Sequence, residues 1–309
     1  MLSLTIPGAF GQKTSKFYDF QWRPSDAAHA RFYSEMEYTD SGWHRTDYYL
    51  HGPILQMEGW YEDSTCKIAT GRFIYFYPDK KLEMTGRYAH NKKEGLWLTF
   101  HYNGMMADST VYAGGKPIGT RMAWHPNGMT SDSAIYQPDG SGVEVTWFDN
   151  GNPSSAGRYA PDYKMHGKWQ FFHSNGKVSA FEMYDHGKFV DKQYFDETGQ
   201  PIIDTTTKDR TASFKGGNAG WLKYLNNHLD FPANYQITNS DEAAVIVSGT
   251  IDEDGNVRDI YVSTPFYPPF EKIALEVIRR SPKWLPAMEH NRRTKSYFRQ
   301  PVVFSQPAD

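Results

Sequence analysis

The sequence predicts a mainly β protein with an α+β unit at its end: an elongated antiparallel sheet of stacked β-hairpin repeats, then a small α-β-β-α-β domain. Three observations predict it. A motif of ~24 residues recurs six times, the signature of a repeat architecture. Within it, an Asn-Gly pair and a tyrosine return at fixed places. From Trp221 onward the apolar spacing changes from alternation to a helical period.

Residues 1–15 read as the remnant of a secretory signal. Ala9-Phe10-Gly11 before Gln12 resembles a small-x-small cleavage site, and Leu2–Ile6 a stub of the apolar region. Residues 16–41 form an aromatic-rich capping segment with Phe17, Tyr18, Phe20, Trp22, Phe32 and Tyr33. Arg31–Tyr38 alternates, so it is expected as a strand covering the open edge of the first hairpin.

The repeats occupy residues 42–202. Copies begin at Gly42, Gly71, Gly95, Gly119, Gly142 and Gly167, and successive starts are 29, 24, 24, 23 and 25 residues apart. Nine residues into the later copies stand Asn103-Gly104, Asn127-Gly128, Asn150-Gly151 and Asn175-Gly176, with Asp79-Lys80 at that place in the second copy. Asn-Gly between alternating runs predicts a two-residue hairpin turn with both central residues at positive φ. Tyr88, Tyr112, Tyr136, Tyr159 and Tyr184 close the hairpins, with Tyr61 in the longer first copy. Residues one, three and five after the starting glycine (Leu96, Leu98, Phe100; Val143, Val145, Trp147; Trp124 in the Gly119 copy) share one face. Their aliphatic character predicts the more buried face. The other face carries Trp97, Thr99 and His101, then Arg121 and His125, then Trp169, Phe171 and His173, and is expected half wet. Trp97, Trp124, Trp147, Trp169 and Phe171 are the candidate aromatic docking surface.

Residues 203–218, with a Thr run at 205–207 and Gly216-Gly217, read as a linker. The terminal domain is placed at 219–305. Trp221, Leu222, Leu225 and Leu229 predict a helix that Phe231-Pro232 ends. Ala243–Ile251 and Val257–Val262 predict two strands joined at Asp254-Gly255. Pro268-Pro269 opens a second helix, Ser281-Pro282 stops it, and Thr294–Phe304 supplies a third strand.

Gly95–Tyr112 and Gly167–Tyr184 share G-x-W-x-x-[FY]-x-x-N-G followed by G-x-Y or its variant. This pattern resembles the MORN-type repeat, in the bacterial variant grouped as a YwqK-like antitoxin family. The resemblance implies a twisted antiparallel sheet used for protein or membrane contact, without catalysis. The Gly119 and Gly142 copies depart from it, with Arg121 and Glu144 in place of Trp. WLKYLNNHLDFP, VSGTIDEDGNVRDIYV, FEKIALEVIRRSPKWLPA and YFRQPVVF together resemble the C-terminal domain of TonB. That resemblance implies a periplasmic domain that pairs a sheet edge with an extended segment of an outer-membrane transporter, by β-augmentation. It points to the third strand as the edge, through Tyr297, Phe298, Arg299, Gln300, Val302, Val303 and Phe304. Pro301 within it lacks a donor and fits an edge.

Other chemistries find little support. Net charge is −3, which gives no general reason to expect nucleic acid. Cys66 is the sole cysteine, so a disulfide framework and a Cys-based zinc site are excluded. His101, His125 and His173 recur at one repeat position, but neighbouring copies place them roughly 10 Å apart, too far to share an ion. Asp252–Gly255 lacks the rest of a calcium loop and reads as a turn. No phosphate-cradling glycine loop, nucleophile elbow or zinc-protease helix motif occurs. No metal and no cofactor are expected. The expectation is a non-enzymatic, periplasmic or secreted scaffold with a protein partner. A soluble antitoxin-like inhibitor is the alternative reading, and a hydrolase using the aromatic face ranks last.

Overall fold

The computed structural model describes residues 13–238 and 242–306, so the secretory-signal reading, apart from its last residues, lies outside them. The capping segment contributes β1 (Thr14–Tyr18) and β2 (Pro24–Ser25). A meander follows through β3 (Phe32–Thr39), β4 (Gly42–Tyr49), β5 (Ile54–Tyr61), β6 (Ala69–Phe76), β7 (Leu82–Ala89), β8 (Lys92–Phe100) and β9 (Met106–Ala113). It continues as β10 (Lys116–Trp124), β11 (Thr130–Tyr136), β12 (Gly142–Trp147), β13 (Pro153–Ala160), β14 (Lys164–Phe172), β15 (Val178–Asp185), β16 (Lys188–Phe195) and β17 (Pro201–Ile202). All 17 strands belong to one sheet. From β3 to β17 each strand pairs antiparallel with its neighbours in the chain, while β1 pairs with β3 and covers the first edge.

The starting glycines explain the repeat length. Gly71, Gly95, Gly119 and Gly167 all adopt φ between 66° and 72°, a left-handed conformation that favours glycine. Each lies where the register with the preceding strand slips, as a β-bulge requires. The β11–β12 pair has no such slip, and its copy starts only 23 residues after the one before.

The Asn-Gly loops differ from the expected two-residue turn. Gly104 N–H donates to His101 O (2.7 Å) and His101 N–H to Met105 O (2.8 Å), closing a three-residue loop. Only the glycine carries positive φ, so this is a type I turn followed by a left-handed residue. The asparagine is kept for its side chain instead. Asn103 Oδ1 accepts from Met105 N–H, and its Nδ2 donates to Pro126 O of the next copy (2.7 Å). Asn127, Asn150 and Asn175 repeat the cross-copy bond at 2.8 Å. The true two-residue turns lie at the opposite end of the sheet, between copies. There His90-Asn91, Gly114-Gly115 and His186-Gly187 each have two positive φ values.

The two faces are also the reverse of the expectation. Trp97 is 2% exposed whereas its neighbour Leu96 is 52% exposed. Phe73, Trp169 and Phe171 are buried with Trp97, while Val111, Ile135 and Val143 stand in water with Leu96. Tryptophan buries ~200 Å² when enclosed, more than a leucine can, so the ring-bearing face wins the core. What encloses Phe73, Trp97 and Trp169 is the repeats themselves, through the preceding strand's glycines and the neighbouring tyrosines, and Phe171 is covered by His290.

That domain comprises α1 (Gly217–His228), β18 (Glu242–Ile251), β19 (Val257–Thr264), α2 (Pro268–Arg279), a short hairpin β20 (Ala287–Glu289) and β21 (Arg292–Thr294), and β22 (Ser296–Ser305). Its sheet order is β19-β18-β22. The hairpin was not expected; its His290-Asn291 turn repeats the His90-Asn91 dipeptide at positive φ. The proposed linker is only partly one. Arg210 and Ser213 form bridges to Met288 and Leu285, and Phe214 is buried in the domain core with Trp221.

Candidate partner-binding site

β22 pairs with β18 over its whole length, from Ser296↔Ile251 to Ser305↔Glu242. Among the described residues no strand pairs with its other edge. Alternation divides its side chains. Val302 and Phe304 are fully buried in the domain core, where Phe304 meets Phe270 edge-on at 5.0 Å. Phe298 is half-buried and stacks on Trp284, and Gln300 is half-buried too. These four residues, assigned to partner binding from the sequence, face the helices, so only their backbone is offered. Tyr297 is 82% exposed, and Arg299 and Val303 are exposed beside it. Arg299 reaches across the sheet to Thr264 Oγ1 at 3.4 Å.

The aromatic docking surface is likewise redistributed. Trp97, Trp169 and Phe171 are internal packing, and Trp124 and Trp147 are half-buried. Their face receives the C-terminal domain along the Asn-Gly loops. The hairpin β20–β21 is the anchor. His290 stacks on Phe171 with ring centroids 3.7 Å apart, and its Nδ1 lies 2.9 Å from Glu182 Oε2. Asn291 Nδ2 donates to Phe195 O (2.9 Å) and Ser179 O (3.2 Å). Arg292 is buried and donates to Ser154 O, Ser154 Oγ (2.7 Å) and Phe172 O (3.3 Å). Burial pushes its guanidinium down to about 10. Lys295 and Asp149 pair at 2.7 Å. At the other end Tyr261 stacks on Tyr102 at 4.4 Å, and Arg31 lies over Phe266 at 4.2 Å.

A cleft of about 610 Å³ remains between the two units. Tyr297 and Phe298 line one wall; His101, Tyr102, Trp124 and His125 line the other. His101 and His125 are held there as tethers between copies, and His173 plays the same part outside the cleft. His101, His125 and His173 place Nε2 2.7, 2.9 and 2.9 Å from the backbone oxygens of Trp124, Trp147 and Phe195. Tyr77 occupies the same repeat position and donates to Phe100 O at 2.7 Å. Burial holds His125 below the ordinary histidine range, so it is neutral at pH 7 and donates through one nitrogen.

The two copies that lack Trp carry a polar cluster instead. Arg121 bonds Asp108 (2.9 Å) and Asp132 (2.6 Å) and lies 3.6 Å from Glu144. Glu144 accepts from Tyr159 at 2.6 Å. Burial pushes the Asp132 carboxyl up to about 7; Arg121 opposes this, and the nearby Glu144 and Asp108 reinforce it. Among the described residues one grouping has the geometry for a metal, the exposed His166, Asp185 and His186, with ligand atoms within 4.8 Å of one another. No helix among them is long and apolar enough to cross a membrane.

Comparison with known families fits this geometry. Residues 165–180, which span most of β14 and its Asn-Gly loop, match the MORN repeat variant. Residues 228–305 match the Gram-negative bacterial TonB protein C-terminal model. No curated protein matches the chain. The chain therefore joins MORN-variant hairpin repeats to a C-terminal domain of the TonB type.

Proposed function

We propose that this is a non-enzymatic protein of the Gram-negative cell envelope that captures an extended segment of another protein on the free edge of β22. The single observation that carries the reading is that edge: ten residues long, paired on one side only, in a domain that matches the TonB C-terminus. Main-chain hydrogen bonds supply affinity there, and the side chains flanking them supply register. The periplasm is the compartment that the C-terminal match favours, and the partner class it favours is an outer-membrane transport or assembly protein. Neither matched family is enzymatic.

The repeats act as the second wall of the site. Their aromatic face fixes the domain in one orientation, so the cleft beside Tyr297 is already formed before a partner arrives. That lowers the ordering cost of binding. The outer face, with Leu96, Val111, Ile135 and Val143 exposed, is the surface left for a soluble partner of the inhibitor type, which is the second reading.

Edge-blocking tests the first reading. Lysine on an edge strand discourages strand addition. Affinity capture from envelope fractions should therefore recover a partner with the wild type and lose it with Tyr297→Lys/Val303→Lys. Equal recovery by both proteins contradicts strand capture.

A further inference from the structure

A second cleft, of about 650 Å³, opens at the opposite end of β22 from Tyr297. Val303, Tyr235 and Thr238 line it from the C-terminal domain; Arg31, His51 and Tyr267 complete its polar wall. The charge balance within it is unusual. Arg31 forms no ion pair among the described residues. Its guanidinium lies over the Phe266 ring at 4.2 Å, one nitrogen donates to Ala30 O at 3.3 Å, and Nε is buried without a hydrogen-bond partner. Asp19, the acidic residue lining the same cleft, is already engaged. Its carboxylate takes the guanidinium of Arg23 at 2.7 Å and the backbone N–H groups of Gln21 and Arg23.

Burial of the Arg31 guanidinium costs desolvation, which longer-range attraction from Asp19 offsets only in part and no direct carboxylate bond relieves. Its planar fork is matched by a carboxylate or a phosphate bound through two N–H donors, and of the two an extended peptide's own side chains supply the carboxylate. The ring of Phe266 lies under that fork at cation–π distance, 4.2 Å from Cζ to the centroid.

We infer that this cleft is a carboxylate-binding subsite. It receives an acidic side chain of the segment that pairs with β22, and so sets which extended segments are accepted. The inference rests on the strand-capture reading, because Val303 places the end of that edge in the cleft. It gives the capping segment a role beyond covering the first hairpin: Arg31 belongs to that segment.

The test is selection of random nonapeptides displayed on phage against the full chain, with Arg31→Met and Arg31→Lys selected in parallel. Thermal melts establish that the variants are folded. The wild type should enrich extended sequences with Asp or Glu at one fixed position, Arg31→Lys should keep that preference, and Arg31→Met should lose it. For one selected peptide, Glu→Gln at that position should weaken binding about tenfold to the wild type and less than about twofold to Arg31→Met. Peptides selected without an acidic position, or with the same one on Arg31→Met, overturn the subsite while leaving strand capture standing. Failure of the wild type to select any extended peptide overturns both. Should Arg31→Met not fold, the Glu and Gln peptides compared on the wild type still decide the matter.

Discussion

Gly86 lies directly beneath the indole of Trp97: a Cβ added to the glycine would stand 2.2 Å from Trp97 Cδ2. Trp97 Nε1 donates to Arg87 O at 3.0 Å, and Tyr88 meets the ring edge-on at 4.8 Å. The G-x-Y motif is therefore a seat for the next copy's tryptophan. Gly157 and Trp169 repeat the arrangement, and Gly59 seats Phe73. Where Arg121 and Glu144 replace the tryptophan, Thr110 and Ala134 stand in place of the glycine. Gly86→Ala should destabilise the protein by about 1–3 kcal/mol through overpacking, and Gly157→Ala similarly. Ala134→Gly should cost about 1–2 kcal/mol, from backbone entropy together with the loss of a buried methyl group. Urea denaturation of the three variants checks the ranking.

The carboxyl of Asp132 sets a pH dependence. Its folded value, about 7, lies above its ordinary 3.8, so the folded chain keeps the proton longer than the unfolded one. The stability it contributes is full below pH 3.8 and is lost as pH rises through about 7. Asp132→Asn cannot titrate and keeps an acceptor for Arg121. It should match the wild type near pH 4 and exceed it by on the order of 2 kcal/mol at pH 8, in denaturation curves measured across that range.

The hairpin β20–β21 fastens the two units, and Asn291 is the residue on which this is most easily checked. Asn291→Ala removes the hairpin's bonds to Phe195 O and Ser179 O, while Phe195 O keeps His173 Nε2, and should cost about 0.5–1.5 kcal/mol. Hydrogen exchange should speed up in β15, β16 and β20–β21, and not in β4–β7. Acid should act on the same contact. Burial raises the Glu182 carboxyl, but hydrogen bonds from His290 and Tyr184 outweigh it and hold it below the ordinary range. The contact is therefore fully stabilising above pH 4.5 and weakens as pH falls below that value.

His125→Phe copies the residue that the next copy naturally carries there, Phe148. The ring volume is kept while the bond to Trp147 O is lost, so the expected cost is about 1 kcal/mol. A larger loss on addition of zinc chelators to the wild type than on this substitution would mean that the histidines serve a metal rather than the repeat ladder. Thermal melts with and without chelator distinguish the two.

The period, the hairpins and the C-terminal strands were legible in the sequence because each follows from local alternation and turn residues. The choice of buried face was not. Leu96 and Trp97 are adjacent, and which one turns inward depends on Gly86 beneath the ring and on Phe73 and Tyr88 of the preceding copy. Asn103 shows the same limit. Its dipeptide announces a turn, but its side-chain bond to Pro126 O belongs to the next copy and fixes a different loop. The edge strand could be placed by its resemblance to a known domain. Alternation alone would have separated Val302 and Phe304, which face the core, from Tyr297, Arg299 and Val303. The docking hairpin was missed because Ala287–Thr294 is too short for a periodic signal, although His290-Asn291 copies a turn already present at His90-Asn91.

The most direct measurement is photocrosslinking in living cells from an unnatural amino acid at Tyr297, compared with one at Ile135 on the outer face. Crosslinks from position 297 to an extended periplasmic segment of another envelope protein, absent from position 135, are the predicted result. Crosslinks from 135 alone, or from 297 only to the chain's own His101–His125 wall, would contradict strand capture.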